Sequence, residues 1–289
     1  MSLRLVGLSL WPGSICSDRA ESREVSVELD LLRRRLRELG RVVVAFSGGA
    51  DSAFLAWVAR DELGDDALAV TAVSPSLAAD EHDDCRALAE EWKLRWATVE
   101  TDELANPEYV ANDGDRCFHC KTELMDALES VRAGATVVLG VNVDDLGDHR
   151  PGQRAAADRG AVFPLVDAGF TKAGVRAASR QLGLRTWDKP AAACLASRVP
   201  YATPVTLGVL DAVGRAERAV RMLGFRELRV RHYGDVARVE LPVGDLPRAL
   251  ELRADIVDAV KAAGYAYVTL DLEGLRSGNL NSSLRLGDT

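Results

Sequence analysis

The stretch "VVVAFSGGADSAFLAWVAR", residues 42–60, decides how the rest of the chain is read. "VVVAF" is a continuous apolar run of strand length, the form a strand takes when a parallel sheet is covered on both faces. Ser47-Gly48-Gly49-Ala50-Asp51-Ser52 follows, and apolar residues at helical spacing come next. Gly48 and Gly49 let the backbone bend tightly and approach an anion. The unpaired amides at the start of the helix then point at it. Ser47 and Ser52 add hydroxyl donors, and Asp51 can hold Mg²⁺ or cap the helix. The Lys of Gly-x-x-x-x-Gly-Lys-Ser/Thr is missing, and Gly-x-Gly-x-x-Gly is absent, so neither common nucleotide loop is present. The plainer alternative is a Gly-rich strand-to-helix turn with an Asp/Ser cap.

Outward from this stretch, helices and strands alternate. Helical spacing over 26–39 ends at Gly40, and residues 53–63 form the next helix. "DALAVTAVS" (66–74), "RWATVET" (95–101) and "ATVVLGVN" (135–142) read as further strands. Helices are expected over 80–94, 115–132 and 171–184. That alternation gives an α/β fold with a parallel sheet flanked by helices. The pattern changes near residue 204. A helix over 207–224 precedes "ELRVRHYG" and "VARVELP", alternating strands joined by the hairpin signal Gly234-Asp235. A helix over 246–265 and the strand "AYVTLDL" complete a smaller α+β module. The expected division is a leader over 1–27, a main domain over 28–203 and a C-terminal domain over 204–289. The start faintly resembles a signal peptide, but its short apolar stretch is broken by Pro12 and Gly13 and no clean cleavage motif follows, so a disordered leader or an over-called start codon is expected.

The 289 residues are 47% hydrophobic and 28% charged, which suits a globular chain. A net charge of −8 argues against a broad nucleic-acid footprint, leaving room for a local basic groove. No stretch approaches ~20 consecutive apolar residues, so no membrane span is expected. The five cysteines are too few and too unevenly spaced for a disulfide scaffold. In a reducing cytoplasm the pair Cys117-x-x-Cys120 points to a metal or redox site.

The hexapeptide resembles the PP-loop, Ser-Gly-Gly-x-Asp-Ser, of the ATP pyrophosphatase superfamily. The resemblance implies an adenine nucleotide alpha hydrolase-like domain that grips the pyrophosphate of ATP, transfers AMP to a substrate oxygen and lets a nucleophile displace AMP. "LGVNVDDLGDHRPG" (139–152) is similar to the segment these enzymes place opposite the loop. Asp144 and Asp145 there suit Mg²⁺, which prefers carboxylate oxygens, and Arg150 suits a phosphate or carboxylate. Lys172 opens the following helix, where it reaches a phosphate or is solvated.

"DRCFHCK" (115–121), "WDKPAAACLASRVPYAT" (187–203), "RVRHYGDVARVELP" (229–242) and "YVTLDLEGLRSG" (267–278) together resemble the LarE family, over roughly 28–279. That family consists of ATP-dependent sulfur transferases that help to make the nickel-pincer nucleotide of lactate racemase. The resemblance implies adenylation of a carboxylate of pyridinium-3,5-biscarboxylic acid mononucleotide. Sulfur then attacks and a thiocarboxylate forms. A carboxylate is a poor electrophile until AMP makes it a leaving-group ester, and a thiolate is a strong nucleophile.

Cys194 occupies the position of the family's sulfur-donor cysteine, just before Ser-Arg-x-Pro-Tyr. In one branch that cysteine gives up its own sulfur and becomes dehydroalanine. In another it joins a Cys-x-x-Cys pair to hold a 4Fe–4S cluster with one open iron. The set Cys117, Cys120 and Cys194 matches the second branch, and an external sulfide donor would then be needed. Zinc held with His119 and Cys85, a redox pair, and a small core residue at position 194 stay open from the residues themselves. Cys16 and Cys85 read as structural. The resemblance also implies Ser197, Arg198, Arg229 and Arg231 as grips for the anionic substrate, with Glu217 as a partner for one arginine. Arg229 and Arg231 are two apart and share a strand face, which would otherwise be a solvated polar face. Trp92 and Trp96 read as core. The family's assembly implies a homo-oligomer, a hexamer in its characterised members. Rival readings are a tRNA thiolase, an ammonia-dependent amide synthetase and a non-catalytic protein that binds ATP or a cluster.

Overall fold

The computed structural model describes residues 14–147, 151–190 and 193–276, with side chains from Val25 onward. Helix α1 (Ser14–Leu39) opens the described chain. Leu32 and Leu36, one turn apart, are fully buried, and Val25 already sits in the core. The expected leader is therefore corrected over residues 14–27, which are helical.

Strand β1 (Val42–Ala45) leads through the glycine turn into α2 (Ala50–Leu63). Next come β2 (Ala67–Val73), α3 (Ala79–Glu91), β3 (Trp96–Glu100), α4 (Pro107–Ala111), α5 (Arg116–Arg132) and β4 (Thr136–Leu139). Helices α6 (Pro151–Asp158), α7 (Pro164–Asp167) and α8 (Lys172–Gln181) follow. The strands pair in parallel in the order β3-β2-β1-β4, with Val42 opposite both Ala67 and Thr136. This is the expected α/β architecture. One face of the sheet packs Val42, Val44 and Ala69 against α1, α2 and α8, where the rings of Phe54 and Phe170 meet edge to face at 5.2 Å. The other packs Val43, Val70 and Val137 against Leu124, Met125 and Leu128 of α5. Cover on both faces is what makes these strands read as unbroken apolar runs. Trp92 and Trp96 pack against the first cluster, as expected.

Helix α9 (Leu207–Met222) leads to the second sheet, β5 (Arg229–Tyr233), β6 (Val236–Glu240) and β7 (Tyr267–Leu270). Between the last two strands lie α10 (Leu246–Glu251) and α11 (Arg253–Ala262), where a single helix was expected. Leu252, at φ −90° and ψ 16°, departs from helical geometry and separates them. β5 and β6 form the expected antiparallel hairpin, and β7 joins β6 in parallel. Val220, Phe225, Val230, Val239 and Val260 fill the core of this module. A separate cluster of Tyr109, Leu195, Val205, Leu210 and Val213 joins α4, the 195–205 segment and α9. Among the described residues no helix is long and apolar enough to cross a membrane.

Candidate active site

β2 and β3 run out from one side of β1 while β4 lies on its other side. The crevice at such a switch point, beyond the carboxyl ends of the strands, is where open parallel sheets bind ligands. The glycine turn leaves β1 there. Gly48 takes φ +69°, which favours glycine, and a Cβ on it would lie 2.9 Å from Cys85 Sγ. Gly49 starts α2 without any side-chain cap, so the first-turn amides keep their donors for a ligand. Ser47 and Ser52 hydroxyls meet at 3.0 Å, and Ser52 also accepts from the Ser47 amide at 3.2 Å. Across the crevice, Gly140 follows the last residue of β4, and a Cβ there would stand only 2.7 Å from the Ser52 nitrogen. The approach of two backbones explains the glycine.

Asp51 is not free in this state. Its carboxylate forms an ion pair with Lys172 and accepts from Asn142 Nδ2 at 3.3 Å. Asp144 accepts from the Lys172 amide at 2.8 Å, and Asp145 accepts from the Asn142 amide at 3.1 Å. Asp144 therefore ties its turn to the start of α8, and Asp145 holds the 142–145 turn itself. Arg150 lies outside the described residues. A pocket of about 160 Å³ is lined by Ser47, Gly49, Asp51 and Ser52 together with Lys172 and Lys189. Lys189 is held by Glu81 at 2.8 Å and Asp84 at 2.6 Å. Burial lowers its pKa, but these two carboxylates outweigh that and keep the ammonium above its ordinary value.

Cys117 and Cys120 stand three residues apart in the first turns of α5, and Cys194 caps the short turn Leu195–Arg198. Cys117 and Cys194 are exposed and Cys120 is half-buried. The topology brings the three into electrostatic reach. Burial, then the charges of Cys194, Glu103 and Cys117, push the Cys120 thiol up to about 12, against the pull of Lys121. Arg116 ties the two segments together. Its buried guanidinium donates to Ala196 O at 2.9 Å and to Asn112 Oδ1. Asn112, at φ 58°, donates to the Pro200 and Thr203 carbonyls, each at 2.8 Å. Burial disfavours the Arg116 charge, but Cys194 and Cys117 more than restore it. Among the described residues no three His, Cys, Asp or Glu side chains already stand as a metal-binding group. His119 faces Glu108 at 3.3 Å, and Cys85 is buried beneath the glycine turn. The side chain of Cys16 lies outside the described residues.

The arginines divide by surroundings. Arg198 is buried against Glu217 in a two-pronged pair, 2.7 and 3.1 Å, and donates to Ser197 Oγ at 2.8 Å. Arg231 donates to Ser197 O at 2.7 Å and pairs with buried Glu240 at 2.9 Å. Both arginines thus hold the turn that follows Cys194. Arg229 is half-buried, donates to the Arg276 carbonyl at 3.0 Å and has no carboxylate at ion-pair distance among the described residues. Burial, then the charges of Arg231 and Arg198, lower its pKa. Such a cation gains from a bound anion.

Arg116, Asn112, Lys189 and Glu240 were not singled out from the sequence. Arg116, Lys189 and Glu240 lie inside three of the quoted motifs, whereas Asn112 lies in none of them.

The NAD synthase family model matches residues 24–117. An uncharacterized protein of Synechocystis sp. is 45% identical, covering 89% of this chain and 98% of its own. The pyridinium-3,5-bisthiocarboxylic acid mononucleotide synthase of Lactiplantibacillus plantarum is 37% identical, covering 86% of this chain and 92% of its own. An uncharacterized protein of Methanocaldococcus jannaschii is 25% identical, covering 82% and 91%.

Proposed function

The chain belongs to the LarE family, the pyridinium-3,5-bisthiocarboxylic acid mononucleotide synthases, and from that premise we propose that it transfers sulfur to a carboxylate that it first adenylates with ATP. The substrate is pyridinium-3,5-biscarboxylic acid mononucleotide, and the product is a thiocarboxylate on the route to the nickel-pincer nucleotide.

One observation carries the reading. Lys189 lines the pocket at the glycine turn and lies five residues before Cys194. Five residues span at most about 18 Å, so one short segment links the phosphate pocket to the sulfur centre. The triphosphate tail sits on the amides of Gly49 and the first turn of α2, with Ser47 and Ser52 as further donors. Asp51 supplies a carboxylate for Mg²⁺ once Lys172 turns to the phosphates. A substrate carboxylate oxygen bonds to the α-phosphorus, the α–β bridging bond breaks, and pyrophosphate leaves with the electron pair. Arg229 supplies the cation for the substrate's phosphate or second carboxylate. Arg198, Arg231, Glu217 and Ser197 keep the turn after Cys194 in place. A sulfur nucleophile then attacks the acyl carbon, and AMP leaves.

Two fates are open to Cys194. Its own sulfur attacks and is given up, or Cys117, Cys120 and Cys194 together hold a 4Fe–4S cluster. Three soft thiol donors within electrostatic reach of one another support the second, and their side chains would have to draw together to serve as its ligands. Cys117, Cys120 and Cys194 would hold such a cluster, and it would supply a site for exchangeable sulfide from an external donor. We take 28–203 as the ATP pyrophosphatase domain and 204–289 as the domain that completes the substrate pocket and assembles copies of the chain in the cytoplasm. Exposed Met222, Tyr267 and Leu272 supply apolar surface for that assembly.

Pyrophosphate and thiocarboxylate formation from the pyridinium substrate test the proposal, measured anaerobically for the wild type and Cys194→Ala. Pyrophosphate release that persists while thiocarboxylate is lost supports it. Thiocarboxylate formation undiminished by Cys194→Ala removes that residue from the mechanism. A wild-type protein that releases no pyrophosphate removes the adenylation.

A further inference from the structure

We propose that Lys189 is a catalytic residue of the adenylation step, binding the pyrophosphate end of ATP in the pocket at the glycine turn. The inference rests on the ATP-dependent reading above and adds a residue to it.

A Cβ on Gly48 would lie 3.7 Å from Lys189 Nζ, so the ammonium stands over the glycine turn itself. An ammonium has three N–H donors. Glu81 Oε2 takes one at 2.8 Å and Asp84 Oδ2 a second at 2.6 Å. The third has no protein partner among the described residues, and Lys189 is one of the residues that line the pocket. A phosphate oxygen can accept it without breaking either existing bond.

The surroundings also allow a stronger engagement. Asp84 has a second cation, Arg185, at 2.7 Å, and Arg185 reaches Glu91 at 2.8 Å. When Lys189 leans toward phosphate, Asp84 therefore remains paired with Arg185, and keeping the bond to Glu81 leaves that carboxylate paired as well. The backbone is fixed meanwhile, since the Lys189 amide donates to Thr186 O at 3.1 Å. In the reaction the α–β bridging bond breaks and negative charge grows on the departing pyrophosphate. A cation held there in advance lowers the barrier.

The test uses the full chain, with ATP, inorganic pyrophosphate and AMP as probes in titration calorimetry. Lys189→Met is expected to weaken ATP and pyrophosphate at least tenfold, in line with a charged hydrogen bond, and to leave AMP within about twofold. Lys189→Arg is expected to recover part of the loss. Glu81→Gln/Lys189→Met removes the carboxylate that the single variant exposes, which protects the fold. It is expected to remain as weak for ATP as Lys189→Met, because the missing interaction is the lysine's own. Thermal melting checks that each variant is folded. ATP affinity restored to wild type in the double variant, or equal losses for ATP and AMP, overturns the proposal. A wild-type protein that binds no ATP overturns the adenylation reading itself. ATP binding by wild type and both Met variants alike overturns only the role of Lys189.

Discussion

Gly140→Ala is the sharpest test of the crevice. A methyl group at this position would stand 2.7 Å from the Ser52 nitrogen and 2.9 Å from both Asp51 C and Ser52 Cα. All three are backbone atoms of the first turn of α2, so no side chain can swing aside. The end of β4 and the start of α2 must separate by several tenths of an ångström, and the amides expected to hold the phosphates move with them. Overpacking of this kind costs about 1–3 kcal/mol. If the strain falls on the ligand-bound geometry, ATP affinity drops roughly 5- to 150-fold. If it falls on the fold, the same energy appears in the urea midpoint. Calorimetric ATP titration and urea unfolding therefore read the two shares together. Gly208→Ala is the control, since a methyl there meets nothing within 4 Å and lies in the first turn of α9. It is expected to leave ATP binding unchanged and to stabilise by up to about 1 kcal/mol. A Gly140→Ala protein with wild-type ATP affinity and wild-type stability would refute the close-approach argument.

Two further outcomes follow from buried polar groups. Glu217→Gln takes the charge from a carboxylate that receives both prongs of Arg198 and the Val230 amide, the latter at 3.0 Å. Urea unfolding is expected to show a loss of about 3–5 kcal/mol, and a change below about 1 kcal/mol would mean the pair is not a structural anchor. Cys85 supplies a pH signature. Burial pushes its thiol up to about 11, with the Thr71 hydrogen bond and Lys189 opposing and Glu81 and Asp84 adding to the rise. The folded state holds this proton more tightly than the unfolded chain, so stability is full below pH ~9 and falls as pH rises toward 11, by roughly 2–3 kcal/mol. Cys85→Ala is expected to flatten that fall in urea unfolding at pH 8.5–10.5, and an unchanged slope would show that the thiol does not contribute.

The sequence alone determined the elements and their class. Apolar runs such as "VVVAF" and "ATVVL" read as strands because a doubly covered sheet demands them. The Ser-Gly-Gly-Ala-Asp-Ser turn was legible because a tight anion-binding bend needs particular residues at adjacent positions. The Gly234-Asp235 hairpin was legible for the same reason. Helix α1 was underestimated at its start, since residues 14–25 lack the strong apolar periodicity of 26–39.

The partners of the charged residues were settled only by the tertiary structure. Arg198, Arg229 and Arg231 read as anion grips with Glu217 beside one of them; the structure shows that Glu217 meets Arg198, that Glu240 meets Arg231, and that Arg229 has no carboxylate at ion-pair distance among the described residues. Lys189 gave no signal of its own, because the groups that hold it are 105 and 108 residues away. The approach of Cys120 to Cys194 likewise depends on Asn112 and Arg116 binding a segment about eighty residues later. Local pattern follows from the conformational preferences of neighbouring residues. Which charge meets which is fixed by the chain's path through space, and a linear reading carries no measure of that.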